Sequence, residues 1–165
     1  MKLHLLLGAA IAALTTATTA FADWRDDYPT VVFGYASGEN LNDQQRRWAP
    51  FVDYLSNELG VEVEFRNSLE YAPIIEGMNA GLVHMANFGA ASYATAYFVT
   101  DGNVEAFATN ARNDGSLGYH SMVVVRADSG IESLEDLQGK KFAFNEPNST
   151  SGYIAPSHFF RQAGM

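Results

Sequence analysis

Three consecutive hydroxyls and a glycine, Ser149-Thr150-Ser151-Gly152, carry the clearest chemical spacing in this chain. They follow a short apolar run, Lys141 to Phe144, and a polar turn, and they stand at what the pattern predicts to be a helix start. A helix start leaves backbone N–H groups without partners and carries the positive end of the helix dipole. Hydroxyls added to such a terminus make a cradle for a small tetrahedral oxyanion, held by neutral donors and so able to leave again. Taken alone, the same run is also an ordinary N-cap, in which a Ser or Thr oxygen accepts one N–H of the first turn.

Ligands of open α/β sheets sit at the carboxyl ends of the strands, and three further groups occupy such places or the passage between halves. Glu70-Tyr71 follows an alternating strand pattern, Asn87-Phe88-Gly89 follows another, and Gly118-Tyr119-His120 opens a long apolar run. Taken alone, Tyr71 and Tyr119 read as half-buried core tyrosines rather than as ligand contacts. His84 and His120 lie in strand-like segments without His or carboxylate partners at ligand spacing, so no metal and no cofactor is expected. The chain holds no Gly-x-Ser-x-Gly elbow, phosphate-binding Walker loop or dinucleotide fingerprint, and nothing near Ser149 to Ser151 serves them as a base. The expectation is binding without catalysis.

The elements that must position these residues alternate. Thr30 to Ala36 reads as a buried strand, and Asp43 to Leu59 as a helix with Trp48, Phe51, Val52, Leu55 and Leu59 on one face. Pro50 is expected in the first turn or at a kink, and Gly60 as the terminating glycine. Val61 to Phe65 predicts a second strand, Leu69 to Asn79 a helix capped by Ser68, Leu82 to Phe88 a third strand, Gly89 to Tyr97 a helix and Val104 to Thr109 a fourth strand. This rhythm implies an α/β fold with mostly parallel sheets. After a Gly/Asn/Asp-rich stretch come a long strand, Tyr119 to Arg126, a capping box at Ser133-Leu-Glu-Asp136, and the strand Lys141 to Phe144 that feeds the hydroxyl run. With Met165 reached soon after, the expectation is a first lobe over 23–117 and, over 118–165, a crossover strand and an incomplete second lobe.

Composition narrows the class. The 165 residues are 47% hydrophobic and 13% aromatic, which suits a packed core rather than disorder. Lys2, the apolar run Leu5 to Leu14 and the small residues around Ala20-Phe21-Ala22 read as a secretory signal over 1–22, cleaved before Asp23. The apolar run is too short to span a bilayer. Cysteine is absent, which removes disulfides, thiolate metal sites and a lipid-attachment site. A freely diffusing protein of the Gram-negative periplasm is the expectation. The formal charge of −9 argues against nucleic acid as a partner but leaves room for an anion bound through neutral donors.

Four segments carry a family resemblance: Trp48-Ala-Pro-Phe-Val-Asp-Tyr-Leu55, Glu70-Tyr71-Ala-Pro-Ile-Ile-Glu-Gly-Met78, Asp114-Gly-Ser-Leu-Gly-Tyr119 and Glu146-Pro-Asn-Ser-Thr-Ser-Gly152. With them the chain resembles the periplasmic substrate-binding proteins of phosphonate, phosphite and phosphate ABC importers, the PhnD-like group. The resemblance implies a type II binding protein whose two lobes close on a phosphorus oxyanion and deliver it, as a monomer, to a permease in the inner membrane. It also implies that Ser149, Thr150 and Ser151 grip the ligand oxygens, with the backbone near Gly152, and that Tyr71 and Tyr119 complete the shell. A ligand-sensing ectodomain of the same fold is the alternative. The chain departs from the family pattern at His84, where relatives often carry Asp, and at Phe88, where some carry a hydroxylated aromatic.

Overall fold

The computed structural model describes residues 23–165; the expected secretory signal at 1–22 lies outside the described residues. A single turn, α1 (Trp24–Asp27), precedes β1 (Thr30–Ala36), α2 (Leu41–Leu59), β2 (Glu62–Ser68), α3 (Ala72–Asn79), β3 (Met85–Asn87) and α4 (Ala90–Val99). The three strands form one parallel sheet in the order β2-β1-β3. The central strand β1 is buried on both faces because its side chains alternate between two helical layers. Val31 and Phe33 face α2, where Trp48, Val52, Leu55 and Leu59 pack on them together with Val63 and Phe65. Val32 and Ala36 face the other way, onto Ile74 and Val83. Burial of side chains such as Ile74 and Ile75, 1% and 2% exposed, contributes roughly 1.5–3 kcal/mol apiece. Gly34 lies on the α3 face, where a Cβ would stand 2.7 Å from Ile74 Cγ2 and 2.9 Å from Val83 Cγ1, so the absence of a side chain lets α3 seat against the sheet.

Several local expectations change. Helix α2 begins at Leu41 under an Asn40 cap, which puts Pro50 inside the helix rather than in its first turn, and Gly60 ends it at φ 70°. Ser68 closes β2 and does not cap α3: its hydroxyl accepts the Glu70 N–H in a turn, and Tyr71 takes the N-cap position, with proline in the first helical turn. Asp26 and Asp27 lie in α1, and neither is buried. The Ser133–Asp136 capping box forms, with the Asp136 carboxylate accepting the N–H groups of Glu132 and Ser133, but only a 3-10 turn, Glu135–Leu137, follows it.

Residues 104–109, 119–126 and 141–144, expected as strands, join no ladder among the described residues. A strand exists by virtue of its partner, and apolar alternation reports only a preference for extended backbone. That preference persists: exposure along Met122, Val123, Val124 and Val125 runs 80%, 37%, 85% and 39%. The chain then turns through residues 145–149 into a π-helical turn, Thr150–Ile154, which continues as α5 (Ala155–Gln162).

Candidate functional site

Parallel topology sends every strand's carboxyl end to one edge of the sheet, and three helices open there. The N-cap of α3 is Tyr71, that of α4 is Gly89, and that of the π turn leading into α5 is Ser149. All three N-cap residues line one cavity of about 300 Å3. Tyr119, Thr150 and Ser151 share it, together with Tyr35 and Ser37 from the end of β1, Asn87 and Phe88 from the end of β3, and Asn110. No Lys, Arg, Asp or Glu is in that lining. Its polar character comes from hydroxyls, amides and helix termini.

The hydroxyl run has two structural duties as well. Ser149, 7% exposed, accepts the Gly152 N–H at 3.1 Å and so caps the π turn. Thr150 Oγ1 accepts the Ala91 N–H at 2.9 Å, which leaves its own proton free for another acceptor. The Ser121 hydroxyl donates to the Ser151 carbonyl at 2.6 Å and ties the segment bearing Tyr119 to the turn. A π turn opening a helix is the kind of irregularity that recurs at functional sites.

Of the residues singled out in the sequence, Tyr71, Tyr119, Ser149, Thr150 and Ser151 come together in this cavity. Gly152 does not line it. Its N–H is taken by Ser149, and a Cβ there would stand 2.5 Å from Asn145 Cβ, so the glycine serves the packing of the turn. Gly89 allows a second close approach: a Cβ would stand 2.8 Å from Thr150 Oγ1 and 3.2 Å from the Tyr119 hydroxyl. Tyr35, Ser37 and Asn110 were not singled out. The carboxyl-end rule applied to β1 would have found the first two, whereas nothing local marks Asn110. Burial pushes the Tyr71 phenol above its ordinary pKa of 10.0, with the neighbouring Ser149 hydroxyl opposing the shift, so the phenol is a neutral donor at physiological pH.

His84 has a structural role. Its Nδ1 accepts the Val32 N–H at 2.9 Å while the His84 backbone N–H donates to the Val32 carbonyl at 3.0 Å, so the imidazole adds to the main-chain tie between β1 and the start of β3. An Asp at this position could accept the same N–H. No group of three or more metal-ligating side chains occurs among the described residues, and no helix among them is long and apolar enough to cross a membrane.

A parallel α/β layer with neutral donors gathered at its carboxyl edge has counterparts among known proteins. The family model for the periplasmic substrate-binding protein of phosphonate ABC transporters matches residues 33–165, and the chain belongs to that family. It is 37% identical over 131 residues to the phosphonates-binding periplasmic protein of Escherichia coli, covering 77% of this chain and 38% of that one. It is 33% identical over 138 residues to the phosphate-import protein PhnD of Mycolicibacterium smegmatis, covering 82% and 43%. The chain thus spans about two fifths of the length of these relatives. Among solved structures, a binding-protein component of an ABC phosphonate transporter from Pseudomonas aeruginosa superposes with a TM-score of 0.73 at 33% identity, covering 80% of this chain and 44% of that one. A Prochlorococcus marinus homologue in complex with methylphosphonate, 23% identical, shares the fold with a TM-score of 0.58 over 83% of this chain and 52% of that one.

Proposed function

We propose that this protein captures a phosphorus oxyanion, a phosphonate, phosphite or phosphate, and delivers it to the inner-membrane permease of an ABC importer. It works as a monomer in the periplasm after cleavage of residues 1–22. The observation that carries this reading is the meeting of three helix N-termini with the hydroxyls of Tyr71, Tyr119, Ser149, Thr150 and Ser151 in one cavity lined by no charged residue of the Lys, Arg, Asp or Glu type. Helix termini favour negative charge, and neutral donors replace the water shell of an anion without the retention a buried cation would add. Each hydrogen bond to a charged oxygen is worth roughly 1.5–3 kcal/mol, so five or six suffice for tight capture after ordering costs. Closure of the two lobes over the ligand would then present one shape to the permease.

Calorimetry of the mature full-length protein against phosphite, methylphosphonate, 2-aminoethylphosphonate and phosphate tests the ligand class. At least one is expected to bind with micromolar affinity or better; binding weaker than about millimolar for all four, where contacts total only ~4 kcal/mol, rejects it. Thr150→Val should lose at least about tenfold in affinity while the protein stays folded, in line with one lost charge-assisted bond. Unchanged affinity would take the hydroxyl run out of the site.

A further inference from the structure

Helix α4 has no cap of its own. Its N-cap is Gly89, which has no side chain to offer, and the acceptor for the Ala91 N–H is Thr150 Oγ1, 59 residues away in sequence. One turn further along α4, the Thr95 hydroxyl lies 2.9 Å from Asn148 Oδ1 and 3.1 Å from the Ala91 carbonyl. Asn148 is oriented for this role. Its side-chain Nδ2 donates to Glu146 Oε1 at 3.0 Å and its backbone N–H to Glu146 Oε2 at 2.6 Å. A carboxylate accepts only, so the amide nitrogen must face Glu146 and the amide oxygen must face Thr95. The clearance is also built in, because a Cβ on Gly89 would stand 2.8 Å from Thr150 Oγ1.

We infer that Thr95, Asn148 and Glu146 form a clasp that fastens the 146–151 turn to α4 and holds the oxyanion site shut without touching the ligand. This rests on the proposed function for the identity of the ligand. None of the three residues lines the cavity, yet Thr150, on the turn that carries Asn148, and Gly89, at the start of the helix that carries Thr95, both do. Thr150 therefore joins two events: its oxygen accepts from α4 and its proton is free for the anion. When the turn seats on α4, the Thr95–Asn148 bond forms one helical turn along from the Thr150–Ala91 bond. The clasp governs escape of the ligand rather than its entry, because it forms only after the turn and helix have met.

Thr95→Val removes the hydroxyl and keeps the shape. In the mature full-length protein it should raise the dissociation rate of methylphosphonate, or of whichever of the four oxyanions binds tightest, about fivefold, the value of one neutral hydrogen bond, with the association rate within twofold. Thr95→Ser should restore the wild-type rate. Asn148→Ala should match Thr95→Val, and the double variant should be no worse than either single one. A dissociation rate unchanged in Thr95→Val, or raised equally in Thr95→Ser, overturns the clasp. Hydrogen exchange at the Ala91 amide reads the same contact without ligand: Thr95→Val should speed it about fivefold while the amides of α2 stay as in wild type. Unchanged exchange there overturns the clasp whether or not an oxyanion binds, whereas failure of the wild-type protein to bind any of the four rejects the ligand class instead.

Discussion

Tyr71 shows how its surroundings fit a single side chain for the role proposed for it. Its phenol is half-buried at the mouth of α3 and must be protonated to donate to an anion. Burial raises its pKa above 10.0. The folded state thus favours the neutral phenol: the contribution to stability is present in full below pH 10 and is lost as pH rises through the folded value. Oxyanion affinity should accordingly be insensitive to Tyr71 ionisation from pH 7 to about 9 and fall at higher pH, where a phenolate repels the ligand. Tyr71→Phe should weaken binding about tenfold at pH 7, from the loss of one bond to a charged acceptor, and should flatten that alkaline fall. Titration calorimetry across the range checks both; a Phe variant that keeps wild-type affinity removes Tyr71 from the shell. His84 makes the opposite case, since a residue type associated with catalysis and metals is spent on one backbone N–H.

At the scale of the element, Gln44 is the residue that periodicity could not reveal. It lies on α2 among exposed neighbours and is itself fully buried. Its Nε2 lies within hydrogen-bond distance of the carbonyls of Ser37 and Glu39, both at 2.9 Å, and of Ser68 at 3.4 Å. It thereby ties the loop after β1, which brings Ser37 to the cavity, to the end of β2, which leads to Tyr71. Gln44→Leu should destabilise the protein by about 1–3 kcal/mol, the cost of leaving the part-buried carbonyls of Ser37 and Glu39 without this donor, as measured by urea unfolding. A loss below about 0.5 kcal/mol, within the range of an ordinary surface substitution, would remove the tie from the account. The succession of strands and helices from Thr30 to Val99 was legible because each element buries a periodic face. Caps were less so: Ser68 has the right type for an N-cap, but pairing with β1 extends β2 through it.

For the molecule as a whole, two regions differ in how their apolar residues are served. Residues 30–99 bury a core in two layers around β1, although Phe98 at the end of α4 stays 80% exposed. Residues 119–126 have the composition of a strand, yet Met122 and Val124 are 80% and 85% exposed. In the 23–165 polypeptide, backbone amides of 119–126 should exchange with solvent quickly, and those of Val31 to Tyr35 should be the most protected. Equal protection would show that the later segment has found a ladder.

The sequence by itself determined the parallel α/β character, the family and the hydroxyl run at a helix start. Those properties follow from local periodicity, from motif strings and from the chemistry of consecutive residues. Only the tertiary structure decided that Tyr71, Tyr119 and Ser149 to Ser151 line one cavity while Gly152 packs the turn beside it. It alone decided that Thr150 caps a helix 59 residues away and that three apolar stretches have no strand partner among the described residues. The reason is physical: a hydrogen bond or a ladder needs two partners, and a sequence window contains only one.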